Sequence, residues 1–166
     1  MAILTWHACK VPKNLIIKQV YGVIFTKDGR TLLKVEKKEY GKEYSLAGGT
    51  PETFDDGMEA TLKRELIEEV NTTIGKPIML GYQEVDEQNG KPSYAQVRMV
   101  AMIDTIGKLQ PDPDTGETYE RLLVHPDKAI QILNWGNIGK QIIEKAVKIA
   151  NKRFKIKDFY DKNEIV

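Results

Sequence analysis

Residues 57–70, GMEATLKRELIEEV, run without an internal glycine or proline and are dominated by Ala, Leu, Glu, Lys and Arg, all strong helix formers. Asp55 and Asp56 stand before them as N-cap candidates. Asn71, which tolerates the left-handed conformation, follows as a terminator. β-Branched and aromatic residues dominate the stretches on either side. A helix with one apolar flank, set between β-rich runs, must bury that flank on a sheet. This constrains the chain to an α+β fold in which a mixed β-sheet is packed between helices.

Residues 16–26 and 31–36 are apolar runs on either side of Asp28-Gly29, a dipeptide that accepts the positive φ angles of a tight hairpin. Residues 40–47 read as a further short strand ending at Gly48-Gly49. A second hairpin runs from 78–85 through Asn89-Gly90 to 93–103. In its last strand Tyr94, Gln96 and Arg98 share one face, and Ala95, Val97 and Met99 share the other. The polar stretch 105–118, with Gly107, Pro111, Pro113 and Gly116, reads as a surface loop. A short strand at 119–124 and a short helix at 127–133, introduced by His125-Pro126, come next. Residues 138–154 place Ile142, Ile143, Ala146, Ile149 and Ala150 at helical spacing, so the chain has a C-terminal amphipathic helix. The charged tail from 155 onward reads as a frayed end. No repeat or linker divides the 166 residues, and one domain spanning 1–166 is expected.

With 25 basic and 24 acidic residues the net charge is +1. No global field draws such a chain to a nucleic-acid polymer or an anionic membrane, so an anionic ligand has to be met by a local site. There is no apolar run of the roughly 20 residues that a bilayer span requires. The N-terminus, interrupted early by His7 and Lys10, lacks a signal-peptide pattern. Cys9 is the one cysteine, which excludes an internal disulfide and suits a reducing compartment. A cytoplasmic protein is the expectation.

Within the first helix, Glu65, Glu68 and Glu69 fall in an arc of about 100°. Leu66, Val70 and Ile67 occupy the neighbouring sector and form the expected buried side. Like charges three and four residues apart cost a helix roughly 0.2–0.5 kcal/mol per pair. A solvated acidic face, partly balanced by Lys63 and Arg64, tolerates that cost, and a hard divalent cation such as Mg²⁺ would offset it.

The longer stretch GGTPETFDDGMEATLKRELIEEVN resembles the signature of the Nudix hydrolases, the MutT-like superfamily. In that signature a glycine leads through a loop to a glutamate and then to an Arg-Glu-apolar-x-Glu-Glu helix. Gly49 matches the leading glycine, and Arg64, Glu65, Leu66, Glu68 and Glu69 match the helical core without a gap. Three positions depart from it. Asp56 stands where the family has its loop glutamate. The loop is one residue longer, which leaves Asp55 as an alternative match. Asn71 replaces the glycine that closes the helix.

The resemblance implies a Nudix-type α/β/α sandwich. It also implies hydrolysis of a phosphoanhydride bond in a nucleoside diphosphate linked to another group, with Mg²⁺, or Mn²⁺ as an alternative, as cofactor. Diphosphate oxygens repel an incoming hydroxide, and metal ions relieve this by neutralising them and acidifying the attacking water. By position, Glu68 and Glu69 are the implied metal ligands, and Glu65 is a further ligand or the base. Arg64 orients a carboxylate through a charge-assisted hydrogen bond. Gly48 and Gly49 permit close backbone approach, and Asp56 braces the loop.

Family members often recruit another acid from a later loop. Glu117 and Glu120 are the candidates here, with Glu87 a weaker one. The segment 112–117 superficially resembles a calcium loop, but its glycine comes early and Leu123 stands where the bidentate glutamate belongs, so it reads as a turn. Tyr94, Gln96 and Arg98 are the substrate candidates, with Arg98 meeting phosphate and Tyr94 stacking on a base; a solvated edge strand is the alternative. Many ADP-ribose-cleaving members carry a proline about fifteen residues past this signature; none lies there and Pro92 comes later, in a turn, which disfavours that substrate. Neither His7 nor His125 has neighbours suited to a base. The competing function is a Nudix-fold module that binds a nucleotide without turning it over. A homodimer is compatible with the resemblance, although no exposed apolar stripe requires one.

Overall fold

Alternate side chains of one strand, Ile16–Phe25, are buried on opposite faces: Val23 and Phe25 on one, Val20 and Ile24 on the other. Only a strand covered on both sides buries residues this way. The computed structural model, which describes Met1 to Val166, supplies both covers. In chain order the elements are β1 (Ile3–His7), β2 (Ile16–Phe25), β3 (Thr31–Lys38), β4 (Gly41–Ser45), β5 (Ala47–Gly49), α1 (Gly57–Val70), β6 (Thr72–Ile74), β7 (Ile78–Asp86), β8 (Tyr94–Ile106), β9 (Glu120–Val124), α2 (Pro126–Leu133), α3 (Gly136–Arg153) and β10 (Glu164–Ile165). The main path across the sheet is β1-β7-β8-β2-β3-β9-β10. β2 and β8 run parallel at its centre, and the other neighbours are antiparallel. Leu62, Leu66 and Val70 of α1 close one face against Val20, Ile24, Val97 and Met99. Ile142, Ile143, Ala146 and Ala150 of α3, with Ala129 and Leu133 of α2, close the other against Val23, Phe25, Leu33 and Val100. The result is an α+β sandwich with a mixed sheet between helices.

The two expected hairpins differ in outcome. β7 and β8 pair along most of their length, with Gln88 and Gly90 taking positive φ in the turn. At Asp28-Gly29 the turn forms, Gly29 at φ 82, but β2 and β3 share only the Phe25–Thr31 pair. Beyond it they part, because 41–49 enters between them: β4 pairs with β3 and β5 with β2. The strand expected at 40–47 therefore becomes a wedge that delivers Gly48 and Gly49 beneath α1.

Two expectations are corrected. The tail does not fray: Ile156 is buried, Phe159 packs edge-on against Phe25, and β10 adds to β9. Arg30 secures it by donating to the Lys162 carbonyl at 3.3 Å and to Glu164 at 3.1 Å. Ile67 is not on the buried side of α1. It is exposed, because the helix rotates Leu62 and Leu66 toward the sheet and leaves Ile67 on the far flank. No helix is long and apolar enough to cross a membrane.

Candidate active site

Burying a leucine side chain stabilises a fold by about 1.5–3 kcal/mol, so Leu62 and Leu66 set the rotation of α1 on the sheet. Glu65 and Glu69 lie beside that apolar flank and are carried inward with it, to 8% and 4% exposure. Glu68, one position round, is half-buried. The far end of the helix is held by Asn71, left-handed at φ 41, and by Arg121, whose Nη1 donates to the carbonyls of Val70 at 2.8 Å and Gly107 at 2.7 Å.

β5 meets the helix at its carboxylates. The Gly48 N–H donates to Glu69 Oε1 at 3.3 Å. A Cβ on Gly49 would lie 2.5 Å from the Glu65 carboxyl carbon, so only glycine admits that carboxylate against the strand. Burial raises Glu65 to about 7, against the opposing pull of Arg64. Burial likewise raises Glu69, even though the Lys34 ammonium is paired with its Oε2. Burial pulls Lys34 down, but the charge and hydrogen bond of Glu69, with the neighbouring Tyr119 and Glu36, together raise it and hold the ammonium protonated.

Arg64 organises the loop side. Its Nε and Nη2 donate to the two oxygens of Asp55 at 3.0 and 2.9 Å, Nη2 also donates to the Thr50 carbonyl at 2.9 Å, and Nη1 reaches Glu65 and Glu68 at 3.0 Å each. Asp55 also accepts from the Glu52 N–H and the Thr61 hydroxyl, both at 2.9 Å. Hydrogen bonding from Arg64 holds its carboxyl well below the usual range. The brace is therefore Asp55, not Asp56, which occupies the N-cap position with no side-chain cap bond. The extra loop residue shifts the aspartate that faces the arginine back by one. Because Arg64 lies between Glu65 and Glu68, no three His, Cys, Asp or Glu side chains are gathered about one point in a way that could hold a metal ion.

A cavity of about 440 Å³ opens beside this cluster, on the α3 face of the sheet. Lys34 and Gly48 line the end nearest the carboxylates, and Tyr21, Gln83, Gln96 and Arg98 line the remainder under Trp135 at the start of α3. Burial lowers Arg98 to about 10.

The sequence matches no family model and no curated protein. Solved structures do resemble the fold. A NUDIX hydrolase from Nitrosomonas europaea superimposes with TM-score 0.58 at 19% identity, covering 87% of this chain and 98% of the other. The NUDIX domain of Shewanella oneidensis NrtR, in a cocrystal with ADP ribose, gives 0.57 at 18% identity, covering 82% and 88%. A Bacillus subtilis pyrophosphohydrolase gives 0.53 at 19% identity, and the match covers 63% of this chain and only 62% of that one. The fold is the Nudix fold.

Within this Nudix fold the residues singled out by the sequence separate into groups. Arg64, Glu65, Glu68, Glu69, Gly48 and Gly49 meet at the α1–β5 junction, and Gln96 and Arg98 line the adjoining cavity. Tyr94 does not reach the cavity: Lys18 lies 4.1 Å from its ring centroid and its hydroxyl donates to Glu87 at 3.2 Å. Glu117 is exposed, and Glu120 pairs with Lys37 and Lys42 instead of joining the carboxylates. The later loop buries a different acid. Asp112 is buried, and its charge contributes to raising Glu69. The segment forms the expected turn, with the Gly116 N–H donating to the Asp112 carbonyl at 2.7 Å, and that turn directs Asp112 inward. His125 caps α2 by accepting from the Asp127 N–H at 3.0 Å, and His7 pairs with Glu84 at 3.1 Å. Trp135, Tyr21 and Gln83 carried no signal in the sequence, since only packing of α3 and β7 on β2 and β8 gathers them.

Proposed function

We propose that this chain hydrolyses a phosphoanhydride bond in a nucleoside diphosphate linked to another group, using a divalent cation, Mg²⁺ or in its place Mn²⁺. The observation that carries the reading is the pair of buried carboxylates, Glu65 and Glu69, held against the glycine backbone of β5, whose Gly48, with Lys34, also lines a cavity sized for a small organic ligand. Buried acids cost stability unless they serve a charge, and burial raises both Glu65 and Glu69 despite the Arg64 and Lys34 cations beside them. Glu65, Glu68 and Glu69 share one flank of α1 but are not gathered about one point, so to hold the cation Glu65 and Glu68 would have to turn away from Arg64; oxygen donors of this kind suit Mg²⁺. When bound, the cation neutralises diphosphate oxygens and makes water acidic enough to attack.

The rest of the work falls to the protein. Arg64, fixed by Asp55, orients Glu65 and Glu68. The Gly48 N–H orients Glu69. Lys34, already at the cavity mouth, supplies a positive charge for a phosphate oxygen. The ligand is a nucleotide derivative rather than a polymer, in keeping with a bounded cavity and a net charge of +1.

The test is a panel of nucleoside triphosphates, dinucleoside polyphosphates and nucleotide sugars assayed for phosphate release with Mg²⁺, with Mn²⁺ and with chelator. Turnover should require the cation. A Glu68→Gln, Glu69→Gln variant should lose it by orders of magnitude while its circular dichroism is unchanged. Undiminished turnover in that folded variant refutes the assignment. Nucleotide binding without product from any substrate identifies a Nudix-fold binding module instead.

A further inference from the structure

Two protein cations stand on the carboxylates of α1, and they differ in what it costs them to yield. Arg64 holds Asp55 with Nε and Nη2 and reaches Glu65 and Glu68 through Nη1 alone. It can release both glutamates and remain paired. Lys34 has no such second hold, since Glu69 is the only acid within ion-pair reach of it. Its side chain is 17% exposed, and its Nζ lies 4.7 Å from the centroid of the Tyr119 ring. Strand β3 fixes its backbone from both sides, against Ser45 of β4 and Arg121 of β9. Taking the ammonium off Glu69 would leave two buried charges without partners, which is the costly way to break an ion pair.

The rest of Glu69 is engaged as well. Its other oxygen accepts from the Gly48 N–H at 3.3 Å, and its side chain is 5% exposed. A carboxylate has lone pairs enough to share one cation with Glu65 and Glu68 while keeping these partners. A second divalent ion on Glu69 is a different matter. It would stand beside the Lys34 ammonium in a site largely shut from water, where like charges repel strongly. Stability alone does not call for a lysine here, because apolar side chains of similar volume often replace a buried ion pair without loss. The pair also borders the cavity rather than a core, since Lys34 and Gly48 both line it.

We propose that Lys34 takes the place of a second divalent ion at Glu69 and so limits this site to one. The inference rests on the reading of Glu65, Glu68 and Glu69 as a cation site. The lysine brings a permanent positive charge to the end of the cavity where Gly48 and Glu69 meet, with nothing to recruit from solution. Arg64 and Asp55 balance one another. The three glutamates carry three negative charges, and one ammonium with one divalent ion balances them.

Titration of the metal-free full chain with Mn²⁺, followed by electron paramagnetic resonance, tests this without reference to turnover. The wild type should bind one ion per chain. Lys34→Met removes the charge and should double the bound Mn²⁺. Its two ions should be spin-coupled through the shared carboxylates, which an ion held elsewhere on the surface would not be. Lys34→Arg keeps the charge and should stay at one ion. Where Lys34→Met unfolds in chelator, Lys34→Gln, which keeps a donor for Glu69, takes its place. Mn²⁺ should raise the thermal midpoint of either neutral variant more than that of wild type, because the ion stands in for the ammonium. Two coupled ions in wild type, none in wild type, or a single ion in a folded neutral variant overturns the proposal. Failure of both neutral variants to fold even with Mn²⁺ present overturns it too. One ion in wild type and two in the variant, with no substrate hydrolysed, removes the hydrolase reading and keeps this one; hydrolysis with two coupled ions in wild type does the reverse.

Discussion

Replacing Gly48 and Gly49 by alanine, one at a time, separates two demands made at the same bend of β5. Gly48 has φ 151, and a Cβ there would lie 2.1 Å from the Val20 carbonyl oxygen and 2.7 Å from the Tyr21 Cα. Both obstacles are backbone of β2, so the strand pair has to open. The expected cost combines positive φ in a non-glycine residue, about 1–2 kcal/mol, with overpacking of about 1–3 kcal/mol. The expected loss of stability is thus about 2–5 kcal/mol. Gly49 has no such φ, and its Cβ would meet only the Glu65 carboxyl group, at 2.5 Å. That flexible end moves from 2.5 Å toward the 3.4 Å of ordinary contact, at a rotamer cost of about 0.5–1.5 kcal/mol. The same shift of nearly an ångström misplaces a carboxylate, for which a turnover loss of about 100-fold is expected. Urea denaturation midpoints and cation-dependent turnover, measured on both variants, separate the two effects. Wild-type turnover in Gly49→Ala, or an unmoved midpoint in Gly48→Ala, refutes the reasoning.

Other perturbations give equally direct readings. Asp55→Asn should lower turnover by weakening the hold on Arg64 while Asp56→Asn leaves it unchanged; equal effects in the two assays would remove the brace assignment. Asp112→Asn, which retains the acceptor for the Asp114 N–H, should weaken activation by Mg²⁺ in a metal titration, whereas Glu117→Gln and Glu120→Gln should not. The folded-state value of Glu65 is raised from 4.5 to about 7, so the folded protein binds the extra proton between those limits and stability is lost as pH rises through that window. In chelator, Glu65→Gln should therefore gain on wild type in denaturant midpoint between pH 4.5 and about 7 and hold that gain above it. A gap that is constant with pH would contradict the burial argument.

Much of the architecture was legible locally. The limits of α1, its Asn71 terminator and the two-faced pattern of β8 follow from propensity, capping and side-chain period, all of which act within a few residues. Helical period in RELIEEV placed the carboxylates on one helix flank before any packing was known. Other features lay beyond such reach. Ile67 was expected to be buried because it falls in the same sector of the helix as Leu66 and Val70, but the sheet selects the rotation set by Leu62 and Leu66. The tail looked frayed because its charges dominate its composition, yet Ile156, Phe159 and Arg30 tie it to the sheet.

The sequence by itself determined that a helix carrying three glutamates and an arginine would dock on a sheet, and that Gly48 and Gly49 would precede it. Tertiary structure decided which of those charges matter to one another. It set Asp55 rather than Asp56 against Arg64 and buried Glu65 and Glu69 deeply enough to raise both. It also buried Asp112 and enclosed Arg98 between Tyr21 and Trp135. The physical reason is range. Helix formation is governed by neighbours one turn away, whereas desolvation, ion pairing and cavity shape arise only where β2, β5, β8, α1 and α3 meet.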